Sequence, residues 1–186
     1  ILKQYESFHT LDQALKNILN DIGKQLANTF QKITSEFYNY KNIIDFKDRM
    51  VIEYERGYYQ IFDKKWEPSP DLNVHLEWCN FSYINLIKAD NLSLVLHIEG
   101  KSGNIKTCSK ILLNKAKDRN FEFIKQYSVN TYYRKSYPMN GKIFAKMSEE
   151  ERRAFLNEIY ASDTIQQIIE LMNETIAEMK QQQENK

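Results

Sequence analysis

The chain has 186 residues, 42% hydrophobic and 27% charged, with a formal net charge of +1. That is the composition of a soluble globular protein, and the length fits one domain able to bury most of the surface its unfolded chain exposes. Five Gly and three Pro exclude a large linker or a long disordered region, so residues 1–186 are read as a single α+β domain.

Leu11, Leu15, Ile18, Ile22, Leu26, Phe30, Ile33 and Phe37 recur at steps of three and four, the signature of a long amphipathic helix with one apolar stripe. Thr10 and Gln13 form a capping-box pattern at its start. The pattern predicts either a helix lying across a sheet or a coiled-coil seam able to pair two chains. His9 is read as a helix-terminus residue rather than a ligand.

Residues 50–55 and 58–62 predict two strands joined by a hairpin turn at Arg56 and Gly57. Trp66 and the turn residues Pro68 to Pro70 follow. Two more strands are predicted at 73–79 and 92–99, with turn chemistry at 88–91. A helix over 103–118 turns Ile105, Cys108, Ile111, Leu112 and Ala116 inward. Residues 127–135 and 142–146 are read as a later pair of strands. Two helices close the chain, the first capped by Ser148 with Glu151 and the second by Ser162 or Asp163. The second carries the stripe Ile165, Ile168, Ile169, Met172, Ile176 and Met179, and residues 181–186 are expected to fray.

This order predicts the α+β class: one antiparallel sheet of about six strands, a meander plus the later pair. The long N-terminal helix, the middle helix and the two C-terminal helices pack on one face. There is no βαβ rhythm and no internal repeat.

Cys79 and Cys108 are the only cysteines, too few for a disulfide framework, which points to a cytoplasmic protein. The apolar runs are too short to span a bilayer and no signal peptide is visible, so no membrane partner is expected. The start at Ile1 rather than Met fits a piece of a longer protein or a chain lacking its first residues.

Three constellations carry chemistry. The first is a basic block: residues 101–146 hold eleven Lys and Arg against Asp118 and Glu122, a formal +9, between acidic flanks. Lys106, Lys110 and Lys117 share a helix face, and Arg134 and Lys135 lie among Tyr132, Tyr133 and Tyr137. Cations neutralise phosphates and exposed rings stack on unpaired bases, so the block predicts contact with nucleic acid or with an acidic protein surface. The competing reading is an ordinary solvated surface neutralised by the acidic flanks.

The second is a repeated His-φ-Glu pair, His75 with Glu77 and His97 with Glu99. Strand alternation puts each pair on one side, and opposed strands would bring all four together as a metal site or as plain cross-strand pairs. Cys79 would share that face, which favours a transition metal over Mg²⁺. The third is Asp90 with Glu99 and Lys101, the skeleton of a Mg²⁺-dependent nuclease centre in which carboxylates hold the ion and the lysine positions water. No cofactor is expected otherwise, and signatures for dinucleotide, P-loop, serine-hydrolase or paired-thiol chemistry are absent.

The aromatic run Gly57 to Trp66, with Asn73 to Glu77 and Leu96 to Glu99, resembles the C-terminal region of bacterial proteins of the PD-(D/E)XK nuclease family. The likeness covers about residues 10–100. It implies that a nuclease centre lies N-terminal to this region, and that this stretch is an accessory domain that binds or regulates. No catalytic residue of that nuclease part is carried over. The leading expectation is therefore a non-catalytic binding module. The alternatives are a Mg²⁺-dependent nuclease and a protein-interaction domain that dimerises through a long helix.

Overall fold

In a computed structural model, residues 2–41, 45–53 and 55–185 are described. Among these residues five antiparallel strands form one sheet in the order β1-β2-β3-β4-β5. They are β1 (Phe46–Ile52), β2 (Gly57–Asp63), β3 (Leu72–Cys79), β4 (Leu92–Gly100) and β5 (Thr131–Tyr137). Among the described residues six α-helices accompany them: α1 (Leu2–Tyr40), α2 (Tyr83–Lys88), α3 (Ser102–Asp118), α4 (Gly141–Lys146), α5 (Glu149–Ala161) and α6 (Asp163–Glu184). The α+β class, the meander and the terminal helices agree with the sequence reading. Tyr54 in the first predicted strand and Lys186 in the predicted tail lie outside the described residues.

Two expectations need correction, and one helix was not expected. The sixth strand, at 142–146, is the helix α4. Asn140 stands before it and its side chain accepts from the backbone N–H groups of Lys142 and Ile143, a cap that supplies two otherwise orphaned donors with a partner. Gly141 lets this turn press onto α2, because a Cβ there would sit 2.0 Å from the Leu86 carbonyl oxygen. The unforeseen α2 is capped by Ser82, which accepts from Asn85 N–H. Finally, α1 begins well before Thr10, whose hydroxyl donates back to the Glu6 carbonyl within the helix. The capping box is thus absent there, whereas at Ser148 and Glu151 both of its hydrogen bonds form.

Alternation gives the sheet two faces. Tyr59, Ile61, Leu76, Trp78, Leu94, Leu96 and Ile98 lie on the first and are buried in one core with residues from all six helices. Phe30 of α1 sits at the centre of that core. The rings of Tyr59, Trp78 and Phe81 meet it edge-on at centroid distances of 5.7, 5.3 and 4.8 Å, the geometry aromatic quadrupoles favour.

A buried hydrogen-bond relay crosses the same core. Trp78 Nε1 donates to the Tyr160 hydroxyl at 3.0 Å. That hydroxyl meets Thr34 Oγ1 at 2.8 Å, and Thr34 donates to the Phe30 carbonyl at 2.9 Å. The relay joins β3, α5 and α1, and an ion pair between Arg153 and Glu36 ties α5 to α1 at the surface. Replacing Tyr160 with Phe keeps the ring but leaves the Trp78 N–H without an acceptor. Urea unfolding should show the Tyr160→Phe variant to be less stable by about 1–3 kcal/mol.

Candidate functional site

The second face of the sheet is polar, and much of it is buried. Arg49, Gln60 and Glu77 occupy directly opposed positions on β1, β2 and β3. Arg49 Nε donates to Gln60 Oε1 at 2.7 Å and Gln60 Nε2 donates to Glu77 Oε2 at 3.0 Å. The Cys79 thiol donates to the other Glu77 oxygen at 3.4 Å. Burial works to raise the Glu77 carboxyl, but the His75 ring, the Gln60 amide and the nearby His97 ring hold it below its ordinary value.

Next to this ladder lies the predicted His-φ-Glu constellation. The register pairs His75 with His97 and Asn73 with Glu99, while Glu77 pairs with Val95. The two histidines therefore face each other and the two glutamates stand at opposite corners, rather than forming two cross-strand His–Glu pairs. The connection that achieves this contains α2, so the turn signal at 88–91 does not set the register. The imidazole centroids are 5.6 Å apart. His75 is fully buried and the His97 side chain is 18% exposed.

One nitrogen of each ring is held from behind: His75 Nδ1 by Asn73 Oδ1 at 3.0 Å and His97 Nε2 by Thr131 Oγ1 at 3.1 Å. The other nitrogen of each ring, His75 Nε2 and His97 Nδ1, is buried without a hydrogen-bond partner. Glu77 Oε2 lies 3.5 Å from the first and Glu99 Oε1 3.6 Å from the second. The nearby His97 ring holds the Glu99 carboxyl below its ordinary value, against the opposing effect of its partial burial.

The nuclease trio is not brought together. Glu99 and Lys101 are at one end of β4 and Asp90 precedes its other end, about 30 Å away at the rise of an extended strand. Gly100, at φ +140°, turns the chain between Glu99 and Lys101, and a Cβ there would lie 2.0 Å from the Asp71 carbonyl oxygen. The Lys101 ammonium is directed to the Asp71 carboxylate at 2.8 Å.

The basic block is also divided. Lys106, Lys110 and Lys117 lie exposed along α3 and make no ion pair among the described residues. Lys115 of the same helix and Arg119 just past its end are neutralised by Glu178 and Glu174 of α6. Arg134 pairs with Val95 on the second sheet face, whereas α3 buries its apolar side in the core on the first. Lys135 instead stands opposite Leu94, its ammonium 5.3 Å from the Tyr137 ring centre. The block is thus a row on one helix plus separate cations on an edge strand. Tyr132, Tyr133 and Tyr137 are buried in the core, so they offer no platform for stacked bases.

The feature not foreseen in detail is the division of α1. Leu26, Phe30, Ile33 and Phe37 are buried, but Tyr5, Phe8, Leu11, Leu15, Ile18 and Ile22 are 40–73% exposed. The helix runs beyond the body of the protein carrying its apolar stripe into solvent. Periodicity revealed the stripe but carries no information about where the sheet ends beneath it.

Comparison with protein-family models, with curated proteins and with solved structures finds no match to this chain. Among the described residues no helix is long and apolar enough to cross a membrane.

Neither cysteine is activated as a nucleophile. Burial pushes the Cys79 and Cys108 thiols up to about 12, and at Cys79 the Glu77 carboxylate adds to the effect. Thiol labelling of the native protein at mildly alkaline pH should therefore be slow at both positions and become fast for both in denaturant. Rapid labelling of either thiol in the native state would contradict this account of their environment.

Proposed function

We propose that this protein is a non-catalytic binding module that associates with a second copy of itself through the N-terminal half of α1. The observation that carries this reading is the exposed apolar stripe of that helix. Phe8, Leu11, Leu15, Ile18 and Ile22 follow the alternating three-and-four spacing of a coiled-coil seam, and a helix with the same spacing is its natural complement. With Tyr5, the exposed fractions amount to on the order of 700 Å² of apolar surface. That exceeds the largest patch on an ordinary monomer, and doubled in a pair it passes the roughly 1,200 Å² at which specific interfaces begin.

Two further points favour binding over catalysis. The residues expected to form a Mg²⁺ nuclease centre lie at opposite ends of β4. The resemblance of residues 10–100 to an accessory region of bacterial PD-(D/E)XK nuclease proteins supports the same reading, of a part that holds a partner rather than a substrate.

Self-association predicts that the mass measured by light scattering rises with concentration from 22.2 kDa toward twice that value. Replacing both Leu15 and Ile22 with Glu should keep the chain monomeric without altering its circular dichroism, since both side chains are exposed. A wild-type mass that stays monomeric throughout the micromolar range would overturn the proposal.

A second reading rests on the unpaired row Lys106, Lys110 and Lys117, which fits a polyanion such as nucleic acid. Binding of mixed-sequence single-stranded DNA, followed by fluorescence anisotropy, should weaken steeply with salt. Changing the three lysines to Ala should lower the slope of log affinity against log salt by about 2, from roughly 0.7 per lost phosphate contact. An unchanged slope would remove α3 from this role.

A further inference from the structure

We propose that His75, His97 and Glu99 form a binding site for a divalent transition-metal ion of the Zn²⁺ class. Each residue offers one ligand atom, and these atoms all lie within 4.8 Å of one another. In a tetrahedral site with metal–ligand distances of about 2.0–2.1 Å, donor atoms are about 3.3 Å apart, so closure onto an ion needs inward movements of about 1 Å or less. The Glu99 side chain is 41% exposed and has the freedom to make such a movement. Its exposure also gives an ion a route from solvent to the buried His75.

The hydrogen bonding points the same way. Asn73 Oδ1 holds the His75 ring at Nδ1 and Thr131 Oγ1 holds the His97 ring at Nε2. His75 Nε2 is buried, has no hydrogen-bond partner and lies 3.5 Å from a Glu77 oxygen. His97 Nδ1 is likewise buried and without a hydrogen-bond partner, 3.6 Å from a Glu99 oxygen. Two imidazole nitrogens and two carboxylates thus converge where the ring centroids are 5.6 Å apart, and one divalent cation would satisfy both nitrogens and Glu99 together.

The groups behind the rings match what metal-ligating histidines require, a polar partner on the second nitrogen that fixes ring orientation. Asn73 supplies it for His75, and Thr131 for His97, with Thr131 itself accepting from Ser128 at 2.9 Å. Glu77 is held by Gln60 and Cys79, outside the set of three, and adds negative potential. Two imidazoles with one carboxylate select Zn²⁺, Co²⁺ or Ni²⁺ over Mg²⁺. Three protein ligands leave a fourth position for water or for an anionic group.

The test uses the full chain, freed of metal by chelator and titrated with Zn²⁺ by calorimetry and with Co²⁺ by its visible absorption. The expected result is one ion per chain with the intense Co²⁺ bands of a four-coordinate site. His97→Ala and Glu99→Gln, both at partly exposed positions, should each weaken binding at least tenfold while circular dichroism stays unchanged. Thr131→Val, which removes the group behind His97, should weaken it about 10–100-fold. His9→Ala, on the exposed arm of α1, should have no effect. Absence of stoichiometric binding would overturn the proposal, as would binding that survives His97→Ala or depends on His9.

Discussion

The Phe30 ring is the contact on which the arrangement of this protein depends. It receives the edges of Tyr59, Trp78 and Phe81, so one side chain of α1 is held at once by β2, by β3 and by the segment leading into α2. The Trp78–Tyr160–Thr34 relay then fixes which turn of α1 lies over the sheet, because a shift by one residue would rotate Thr34 away from the Tyr160 hydroxyl. Packing alone tolerates some sliding, whereas a buried N–H that loses its acceptor costs its full desolvation. The relay therefore supplies register where the aromatic cluster supplies adhesion.

That anchoring has a consequence at the other end of the helix. At 39 residues, α1 is about 58 Å long, and its buried positions begin only at Gly23. An α-helix is stiff over this distance, so the N-terminal half extends beyond the core along the same axis. The exposed stripe from Tyr5 to Ile22 is thus a direct result of where Phe30 is held, and not of a separate folding decision.

The sheet separates two kinds of chemistry. Its first face is largely apolar and packs against the helices. Its second carries the Arg49–Gln60–Glu77 ladder beside two opposed histidines. Polar groups buried in this number persist only when their partners are present. The ladder meets that condition from within the chain, whereas the imidazole pair meets it on one side of each ring only. That unpaired side of the imidazole pair is the basis of the metal site proposed above. The same separation divides the basic block, since α3 lies over the first face and Arg134 projects from the second.

Much of the fold was legible along the chain. The stripes of α1, α3 and α6, the strands β2, β3 and β4 and the Ser148 capping box are local patterns that backbone geometry imposes and lie where the sequence puts them, whereas β1 runs from Phe46 to Ile52, earlier than the pattern at 50–55 indicates. Residues 142–146 carry no period of their own, so short a segment being helical only through the Asn140 cap and the close approach of Gly141 to α2. Likewise, the sequence by itself determined that His75, Glu77, His97 and Glu99 fall on one side of their strands, since alternation is a property of each strand alone. Only the tertiary structure decided that histidine faces histidine, that Tyr132, Tyr133 and Tyr137 turn inward, and that half of the α1 stripe stays uncovered. Register, burial and coverage depend on partners distant in sequence, and no local pattern encodes where those partners end.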